Sequence, residues 1–415
     1  AEILAIGRNE RDDRQQALLV DHFLRRLDPP YRQASKSLAD LDERRSKLIQ
    51  RIPTSLIMRE RVERRPTFIL QRGDYRRPGE MVSRGTPEYL PSNGKFADNR
   101  LGLARWIVSP DNPLTARVFV NHVWRLHFGR GLVTTPEDFG VRGQPPTHRS
   151  LLDWLATEFI DSGWNVKRLH HLILTSHAFR QTGRVAFEHR QLDPGNVWYS
   201  RGPRFRLSAE QIRDTALAVS GLLDNRILGP SVSPYQPPGL WKELSYDPAE
   251  FTAQVFRQSH GADLYRRSLY TFWKRSVPPP NMVVFDAPTR ETCLLQRART
   301  NTPLQALVLM NDPTFVEAAR LLADSLLARR GTDSDRVTIL WVKTMSRQPS
   351  PGELAATLRS LHQLRKYYSD HLDLARQLST VGEYPSATVR GVAERSAWTC
   401  VCGVILQQDE VLTQH

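Results

Sequence analysis

The chain has 415 residues, of which 40% are hydrophobic and 25% are charged, a composition typical of a folded globular protein rather than a disordered or fibrous one. This length allows two or three domains. The net charge of +14 comes almost wholly from 50 arginines, since only 8 lysines are present. No apolar run approaches the roughly 18 residues that cross a bilayer, so no membrane span is expected.

The positive charge raises the question of nucleic-acid binding, because neutralisation of phosphates drives non-specific binding. The arginines occur singly or in pairs, usually with Asp or Glu nearby, and no block of five Lys or Arg residues occurs. The pattern therefore favours solvated faces and Arg–carboxylate pairs and argues against nucleic acid. A polyanion or nucleic-acid binder remains an alternative.

Residues 1–94 predict an N-terminal helical hairpin followed by short strands. Apolar residues recur at helical spacing over residues 18–27, Pro29-Pro30 interrupts the pattern, and a second apolar stripe covers residues 38–49. Three short elements are then expected: strands at residues 55–58 and 67–70, and a turn at residues 76–80.

Residues 95–415 predict a helical core domain. Asn112 is expected to cap a helix that begins at Pro113 and ends before Gly129. Amphipathic helices follow at residues 151–159 and 166–173.

Capping signals place the later helices of this domain. Ser and Thr residues precede Gln or Glu by three positions, the spacing of a capping box, at Ser208, Thr302 and Ser350. A further helix is expected from Pro313 to Arg330.

An irregular, aromatic-rich insertion occupies about residues 225–300, where Pro and Gly are frequent and residues 268–273 resemble a strand. Together these patterns predict a mainly α fold: a multi-helical core with a small β element and long Pro/Gly-rich loops.

The three cysteines, Cys293, Cys400 and Cys402, cannot all pair within the chain, so no disulfide framework is expected. One residue separates Cys400 from Cys402 and no His follows, unlike a haem-attachment motif. We expect all three to behave as buried small hydrophobic residues, and no metal site is predicted.

Half of the 12 histidines lie within residues 122–177. His122 and His127 are five positions apart on a predicted helix, so their side chains diverge by about 140°, and no His-Glu-x-x-His motif occurs. Helix-surface or hydrogen-bonded histidines are therefore the favoured interpretation. The candidates for a catalytic acid–base role in this region are Asn121, His127, Asp138 and His148.

Aromatic residues on predicted loops offer a second type of site. Trp198, Tyr235, Trp241 and Tyr246 lie among Pro, Gly, Ser and Asp, and such rings can stack on sugar faces or on a partner protein. Packing beneath the loops explains the same residues and is the favoured interpretation.

Polar residues cluster around the predicted helix that begins at Pro303. Arg299, Asn301 and Asp312 lie close to helix N-termini, where free backbone N–H groups favour an anion or a carboxylate-bearing ligand. Capping and loop hydrogen bonds account for these residues as well. No phosphate loop, nucleophile elbow or dinucleotide fingerprint occurs.

Four long stretches of the chain are distinctive: Asn112-Pro113-Leu114-Thr115-Ala116-Arg117, His127-Phe128-Gly129-Arg130-Gly131-Leu132, Leu207-Ser208-Ala209-Glu210-Gln211 and Thr300-Asn301-Thr302-Pro303-Leu304-Gln305-Ala306-Leu307. They resemble one family, a planctomycete-specific domain of unknown function found C-terminal to cytochrome c-like domains in large envelope proteins. The resemblance extends over nearly the whole chain, although His122 stands where an Arg is common and Arg149 where a Pro is usual.

The resemblance implies a periplasmic or cell-surface module linked to a cytochrome c-type domain or protein. Its expected role is to bind a glycan, with a sulfated glycan as one option, or a partner protein in redox-linked polysaccharide metabolism. No Cys-x-x-Cys-His occurs, so haem c would belong to an upstream domain or a partner. The chain begins at Ala1 without a signal peptide, which indicates a fragment or a processed product.

The rival hypothesis is a carbohydrate-active enzyme that oxidises or cleaves a sugar. Its polar pocket in the helical core would join Asn121, His127 and Asp138 to Arg299, Asn301 and Asp312. The family has no assigned catalytic residues, so the resemblance implies no residue roles.

Overall fold

The computed structural model describes residues 2–52, 54–91, 96–243, 255–385 and 391–414. Tyr246 lies outside these residues. The mainly α prediction is confirmed, since the described residues form many helices and two sheets of two strands each. None of the described helices combines the length and apolar character needed to cross a lipid bilayer.

The chain divides into two compact units. The first comprises Ala1–Pro87 and Ala97–Leu103, and the second comprises Glu88–Phe96 and Ala104–His415. The predicted domain boundary between residues 94 and 95 stays a prediction.

The first unit contains the predicted helical hairpin. A short helix, α1 (Glu2–Ala5), precedes α2 (Asp13–Arg26) and α3 (Pro29–Arg51). Asp12 and Asp28 cap the two long helices by accepting backbone N–H groups, so the residues around Pro29 both end one helix and start the next.

A β-hairpin completes the first unit. Strands β1 (Thr67–Leu70) and β2 (Pro78–Val82) pair antiparallel, with Thr67 opposite Val82. The strand predicted at residues 55–58 is wrong, because this segment is exposed and pairs with no strand among the described residues. The predicted turn at residues 76–80 is shorter, since Pro78 already belongs to β2.

The second unit holds a series of helices and a small sheet. Helix α4 comprises Arg100–Ile107. The elements that follow are α5 (Thr115–Phe128), α6 (Arg149–Asp161), α7 (Val166–Leu174), α8 (Phe187–Leu192), β3 (Phe205–Arg206), α9 (Ala209–Ser220), α10 (Leu240–Glu243) and α11 (Pro280–Val284). The remainder are α12 (Pro303–Asn311), α13 (Pro313–Leu327), α14 (Asp333–Met345), α15 (Pro351–Asp370), α16 (Leu372–Ser379), α17 (Val392–Leu406), α18 (Asp409–Leu412) and β4 (Thr413–Gln414).

Three apolar clusters form the core of the second unit. The first is built by α13, α14, α15 and α17 around the fully buried Trp398. The second joins α5, α6 and α7 around Val120 and Leu155, and the third joins α9, α11 and α12 to α13 around Leu217. Helix α13 therefore takes part in two clusters and is buried along most of its length.

Local capping chemistry explains why most predicted helix ends are confirmed. Ser208 and Ser350 form complete capping boxes, in which each hydroxyl accepts the N3 backbone N–H. Gly129 and Gly221 end their helices in the left-handed conformation at φ 74° and 86°, which costs glycine little.

Two helix ends and one helix cap differ from the prediction. The helix expected from Pro113 begins at Thr115, because the Asn112 side chain accepts the N–H groups of Leu114 and Thr115 just before it. The helix expected to reach Arg330 ends at Leu327. Thr302 precedes α12 without a side-chain capping bond.

The strand predicted at residues 268–273 is wrong. Residues 268–270 form a 3-10 turn, which side chains of α9 hold in place. The buried Arg213 guanidinium donates to the carbonyls of Leu264 and Arg266, and Asp214 accepts the N–H of Ser268 at 2.8 Å. Thr271 adds one isolated parallel β-bridge to Val232, so side-chain bonds and a single bridge hold this segment in place of a strand ladder.

The expectation for the cysteines is partly wrong. Cys402 is fully buried and Cys400 is partly buried, with its sulfur 3.1 Å from the Tyr368 hydroxyl. Cys293 is exposed, because it lies on a segment outside the three apolar clusters.

Glu317 on α13 is the centre of a buried polar network. Its carboxylate accepts hydrogen bonds from the hydroxyl groups of Tyr235 and Tyr265 and from the backbone N–H of Tyr384, at 3.1, 2.9 and 2.7 Å. Gly382, at φ 90°, lies directly against this carboxylate. The chain can turn there only because residue 382 lacks a side chain.

We expect Gly382→Ala to lower the free energy of unfolding by about 2–3 kcal/mol. The left-handed backbone alone costs alanine roughly 1–2 kcal/mol, and the added methyl group would overlap the pinned Glu317 carboxyl. Gly352→Ala, at an open position in the first turn of α15, serves as the control and should not destabilise the protein. Urea unfolding of both variants measures the difference, and equal midpoints would contradict the prediction.

Candidate functional site

A cavity of about 910 Å³ opens in the second unit beside the C-terminal half of α5. Helix α7, the N-terminus of α9, the β3–β4 sheet and residues 294–299 surround it. Its polar and charged lining consists of His122, Arg125, His127, His170, Arg206, Ser208, Glu210, Gln211, Asp286, Gln296, Arg297, Arg299, Gln305 and Gln414. This volume lies in the range of small-molecule sites.

Helix α5 brings several side chains to one wall. His122, Arg125 and Gly129 are spaced three and four positions apart, which places them along one helix face. Gly129 ends this helix where Phe205 and Arg299 approach closely, since a Cβ there would lie 2.6 Å from the Phe205 ring. The cavity therefore requires a glycine at this helix end.

Four arginines line the cavity: Arg297 is paired with Glu210, whereas Arg125, Arg206 and Arg299 form no ion pair with a carboxylate of the described residues. Arg125 donates from Nη2 to the Leu295 carbonyl, while its Nη1 is buried with no hydrogen-bond partner. The Arg299 guanidinium lies over the Phe205 ring, 4.2 Å from the ring centroid. Neither arginine forms an ion pair with a carboxylate of the described residues.

Partial burial weakens the hydration of both arginines. It lowers the pKa of Arg125 from the usual arginine value, and the pKa of Arg299 is lowered by burial and by the charge of Arg125. Both stay protonated at neutral pH, because the ordinary arginine pKa is far higher. An anion in the cavity would offset the cost of these two neighbouring charges.

The two carboxylates of the cavity are already engaged. Glu210 pairs with Arg297 at 2.7 Å; burial opposes its ionisation, yet this ion pair holds the pKa of Glu210 below its usual value. Asp286 accepts the backbone N–H and the hydroxyl of Thr300. These acids therefore leave the charge of Arg125 and Arg299 uncompensated.

His127 and His170 form a hydrogen-bonded pair in the cavity wall. His127 Nε2 lies 2.7 Å from His170 Nδ1, and the ring of Phe179 packs edge-on against His127. Burial, followed by the neighbouring His170, lowers the pKa of His127 below 6.5. The His127 ring is therefore neutral near pH 7.

Asn121, predicted as a catalytic candidate, lies outside the cavity lining and is almost fully buried. Its amide donates to the Val133 carbonyl at 3.0 Å and accepts the Val133 N–H at 2.8 Å. These two bonds fix the loop after α5, which is a structural contact.

Asp138 and His148 also lie apart from the cavity lining. Asp138 accepts the Gly140 N–H within its own loop at 2.7 Å. His148 precedes α6, where its ring lies 5.8 Å from that of Trp198 and 5.5 Å from that of Tyr199. The groups of the described residues include no cluster of three His, Cys, Asp or Glu that could hold a metal ion.

Of the three polar candidates near α12, only Arg299 lines the cavity. Asn301 is exposed outside it, and Asp312 caps α13 by accepting the Thr314 N–H at 2.9 Å. Burial raises the pKa of Asp312. Of the pocket expected from Asn121, His127, Asp138, Arg299, Asn301 and Asp312, this cavity is lined by His127 and Arg299, and the expected site stays a prediction.

The aromatic candidates differ in exposure. Trp198 is 64% exposed, whereas Trp241 is 8% exposed and donates to Gln236 at 3.1 Å. Tyr235 is committed to Glu317, and burial together with that carboxylate raises its pKa to about 12. The rings of Tyr235 and Trp241 are thus packed beneath the loops, and Trp198 alone of the three presents most of its surface outward.

Sequence reasoning missed Arg125, His170 and Glu210. The spacing of His122, Arg125 and Gly129 was a usable signal, because it aligns them on one helix face. His170 and Glu210 gave no such signal, since they reach the cavity from other helices.

Comparison with protein families assigns this chain to a known family. Residues 99–361 match the family described as PSD1, a protein of unknown function (DUF1553). The chain belongs to this family. No curated protein and no solved structure matches the chain. The matched residues of this PSD1 member include most of the cavity lining, from His122 to Gln305.

We expect Asn121→Ala to destabilise the protein by about 3 kcal/mol, because an unsatisfied buried polar group costs about 1–3 kcal/mol and Val133 would lose two bonds. The exposed Asn301→Ala is the matched control and should change stability little. Chemical denaturation measures both variants. An Asn121→Ala protein as stable as the control would contradict the structural role.

The cavity histidines make stability depend on pH. Because burial lowers the folded-state pKa of His122 and His127 below 6.5, the unfolded chain binds more protons around pH 6. Their stabilising contribution is present above pH 6.5 and is lost as the pH falls through it. We expect His127→Gln to lose less stability than wild type between about pH 7 and about pH 5 in urea titrations. The exposed His362→Gln should follow wild type, and identical pH profiles for all three would contradict this expectation.

Proposed function

We propose that this chain binds an acidic glycan through the cavity beside α5. The observation that carries the proposal is the pair of partly buried guanidinium groups of Arg125 and Arg299, which lack a carboxylate partner among the described residues. A carboxylate or sulfate group can accept several charge-assisted hydrogen bonds from such groups. The ligand therefore carries an anionic group on a compact polar body.

The apolar part of the lining suits a sugar ring. Phe285, Leu294 and Leu295 border the cavity beside the two arginines. Pyranose rings have an apolar C–H face and a polar edge, so a wall of mixed character contacts both. The volume accommodates a short segment or the end of a glycan chain.

We further propose that the chain is a periplasmic or cell-surface module of a planctomycete envelope protein, linked to a cytochrome c-type domain or protein. The resemblance of the long stretches around Asn112, Leu207 and Thr300 supports this assignment. Haem c would be carried by that domain or partner, and this chain would bind glycan or a partner protein in redox-linked polysaccharide metabolism. A sulfated glycan and a carboxylated glycan are equally compatible with the positive charge of the cavity.

A general polyanion or nucleic-acid binder is less well supported. Many exposed arginines are engaged by carboxylates, as in the pairs Arg117–Asp153 and Arg204–Asp409 at 2.6 and 2.7 Å. Inside the cavity, Arg125, Arg206 and Arg299 form no ion pair with a carboxylate of the described residues. A short oligosaccharide fits this arrangement better than a long duplex does.

The test measures binding of short glycans by calorimetry. Heparin-derived hexasaccharide, hexagalacturonate and neutral maltohexaose serve as sulfated, carboxylated and uncharged probes. We expect at least one of the two acidic glycans to bind and maltohexaose not to bind. Arg299→Gln should weaken binding at least about tenfold, because a charged hydrogen bond contributes about 1.5–3 kcal/mol.

The matched control is Arg359→Gln, which removes an exposed arginine on α15 away from the cavity. It should bind like wild type, and both variants should keep the wild-type melting temperature. Equal binding of maltohexaose, or an equal loss in both variants, would overturn the proposal. A strong preference for duplex DNA over both acidic glycans would favour the polyanion alternative.

A further inference from the structure

The cavity contains a pair of histidines that can accept and donate protons, a property that ligand binding alone does not require. His127 and His170 both line it, and one hydrogen bond of 2.7 Å joins His127 Nε2 to His170 Nδ1. In the neutral pair a single N–H fills this bond, whichever ring donates it. The two outer ring nitrogens, His127 Nδ1 and His170 Nε2, are then one proton acceptor and one proton donor.

The two outer nitrogens are available to exchange protons with a ligand. Neither has a hydrogen-bond partner among the described residues, while the inner nitrogens are held by each other. A proton taken at one end and a proton released at the other end leave the pair in its second neutral form. The pair can thus act as base and as acid in one turnover.

The carboxylates of the cavity argue against hydrolysis. Most enzymes that hydrolyse a glycosidic bond use two carboxyl groups, one of which must be protonated to act as the acid. Glu210 is ion-paired with Arg297 at 2.7 Å, and Asp286 is occupied by Thr300. Neither group is free to donate a proton to a leaving oxygen.

The arginines favour a different reaction. A proton on the carbon next to a carboxylate becomes acidic only when the negative charge of that carboxylate is neutralised. Arg125 and Arg299 line the same cavity as the histidine pair and have no carboxylate of their own among the described residues. They can therefore hold a uronate carboxylate while a neutral base removes the neighbouring proton.

We propose that the cavity cleaves uronate-containing glycans by β-elimination, with His127 and His170 as the catalytic base and acid and with Arg125 and Arg299 binding the uronate carboxylate. This inference rests on the proposed binding of an acidic glycan. It narrows the substrate to chains in which a uronic acid is linked through its O4.

The proposed step balances without a cofactor. The unprotonated outer nitrogen takes the C5 proton, and the electron pair of that C–H bond forms the C4=C5 double bond. The C4–O4 bond breaks, and the leaving oxygen receives the proton of the other outer nitrogen. The products are a 4,5-unsaturated uronate and a new hydroxyl end, and no water or oxidant is consumed.

The test follows the ultraviolet absorbance of the conjugated double bond in the full chain incubated with polygalacturonate, alginate or chondroitin sulfate. We expect absorbance to rise with at least one polymer. His170→Gln should lower the rate at least about 100-fold, because general acid–base groups contribute about 10²–10⁴-fold, while binding of the same polymer persists. His362→Gln, an exposed histidine on α15, should retain the wild-type rate.

The outcomes separate this inference from the proposed function. Binding of a uronate polymer with no unsaturated product would overturn the elimination and leave acidic-glycan binding standing. Product formation that His170→Gln and His127→Gln both leave unchanged would overturn the role of the pair. Absence of binding to every acidic glycan would overturn both proposals.

Discussion

A charge removed from water must be partnered, and this constraint organises the second unit around α13. Glu317 is fully buried on that helix and is compensated by two tyrosine hydroxyls, a backbone N–H and Arg320. The partners come from residues far apart in sequence, so one carboxylate ties the irregular segment before α11 and the loop at Gly382 to the helical core. The same logic applies at Asp324, whose carboxylate pairs with Arg395 of α17.

The cavity beside α5 departs from this rule. Arg125 and Arg299 are partly desolvated, yet the described residues supply them with carbonyl and ring contacts instead of carboxylates. Arginines without a carboxylate partner are a feature of binding sites, because a ligand can supply the missing negative charge. The hydrogen-bonded His127–His170 pair beside them adds a proton acceptor and donor to the same wall. Membership of the PSD1 family gives no reaction, so the chemistry of these four side chains carries the functional argument.

Much of the helical architecture could be predicted, whereas the site was predicted only in part. Ser208 and Ser350 satisfy backbone groups within three residues, so their helices could be located from local spacing. Ser268 illustrates the opposite case: its apolar and aromatic neighbours favour a strand, but Arg213 and Asp214 on another element impose a turn. Asn121 shows why contacts of a candidate residue are hard to predict, since nothing in its sequence neighbourhood reveals that its amide bonds to Val133.

The sequence by itself determined the helical class, the capped helix starts and the excess of arginine over acidic residues. Only the tertiary structure decided which arginines are neutralised and which remain free for a ligand. Helix caps depend on hydrogen bonds between residues close in the chain, so a short stretch of sequence is enough to predict them. Compensation of Arg299 and the pairing of His127 with His170 depend on which distant segments meet, and that is set by the packing of the apolar clusters.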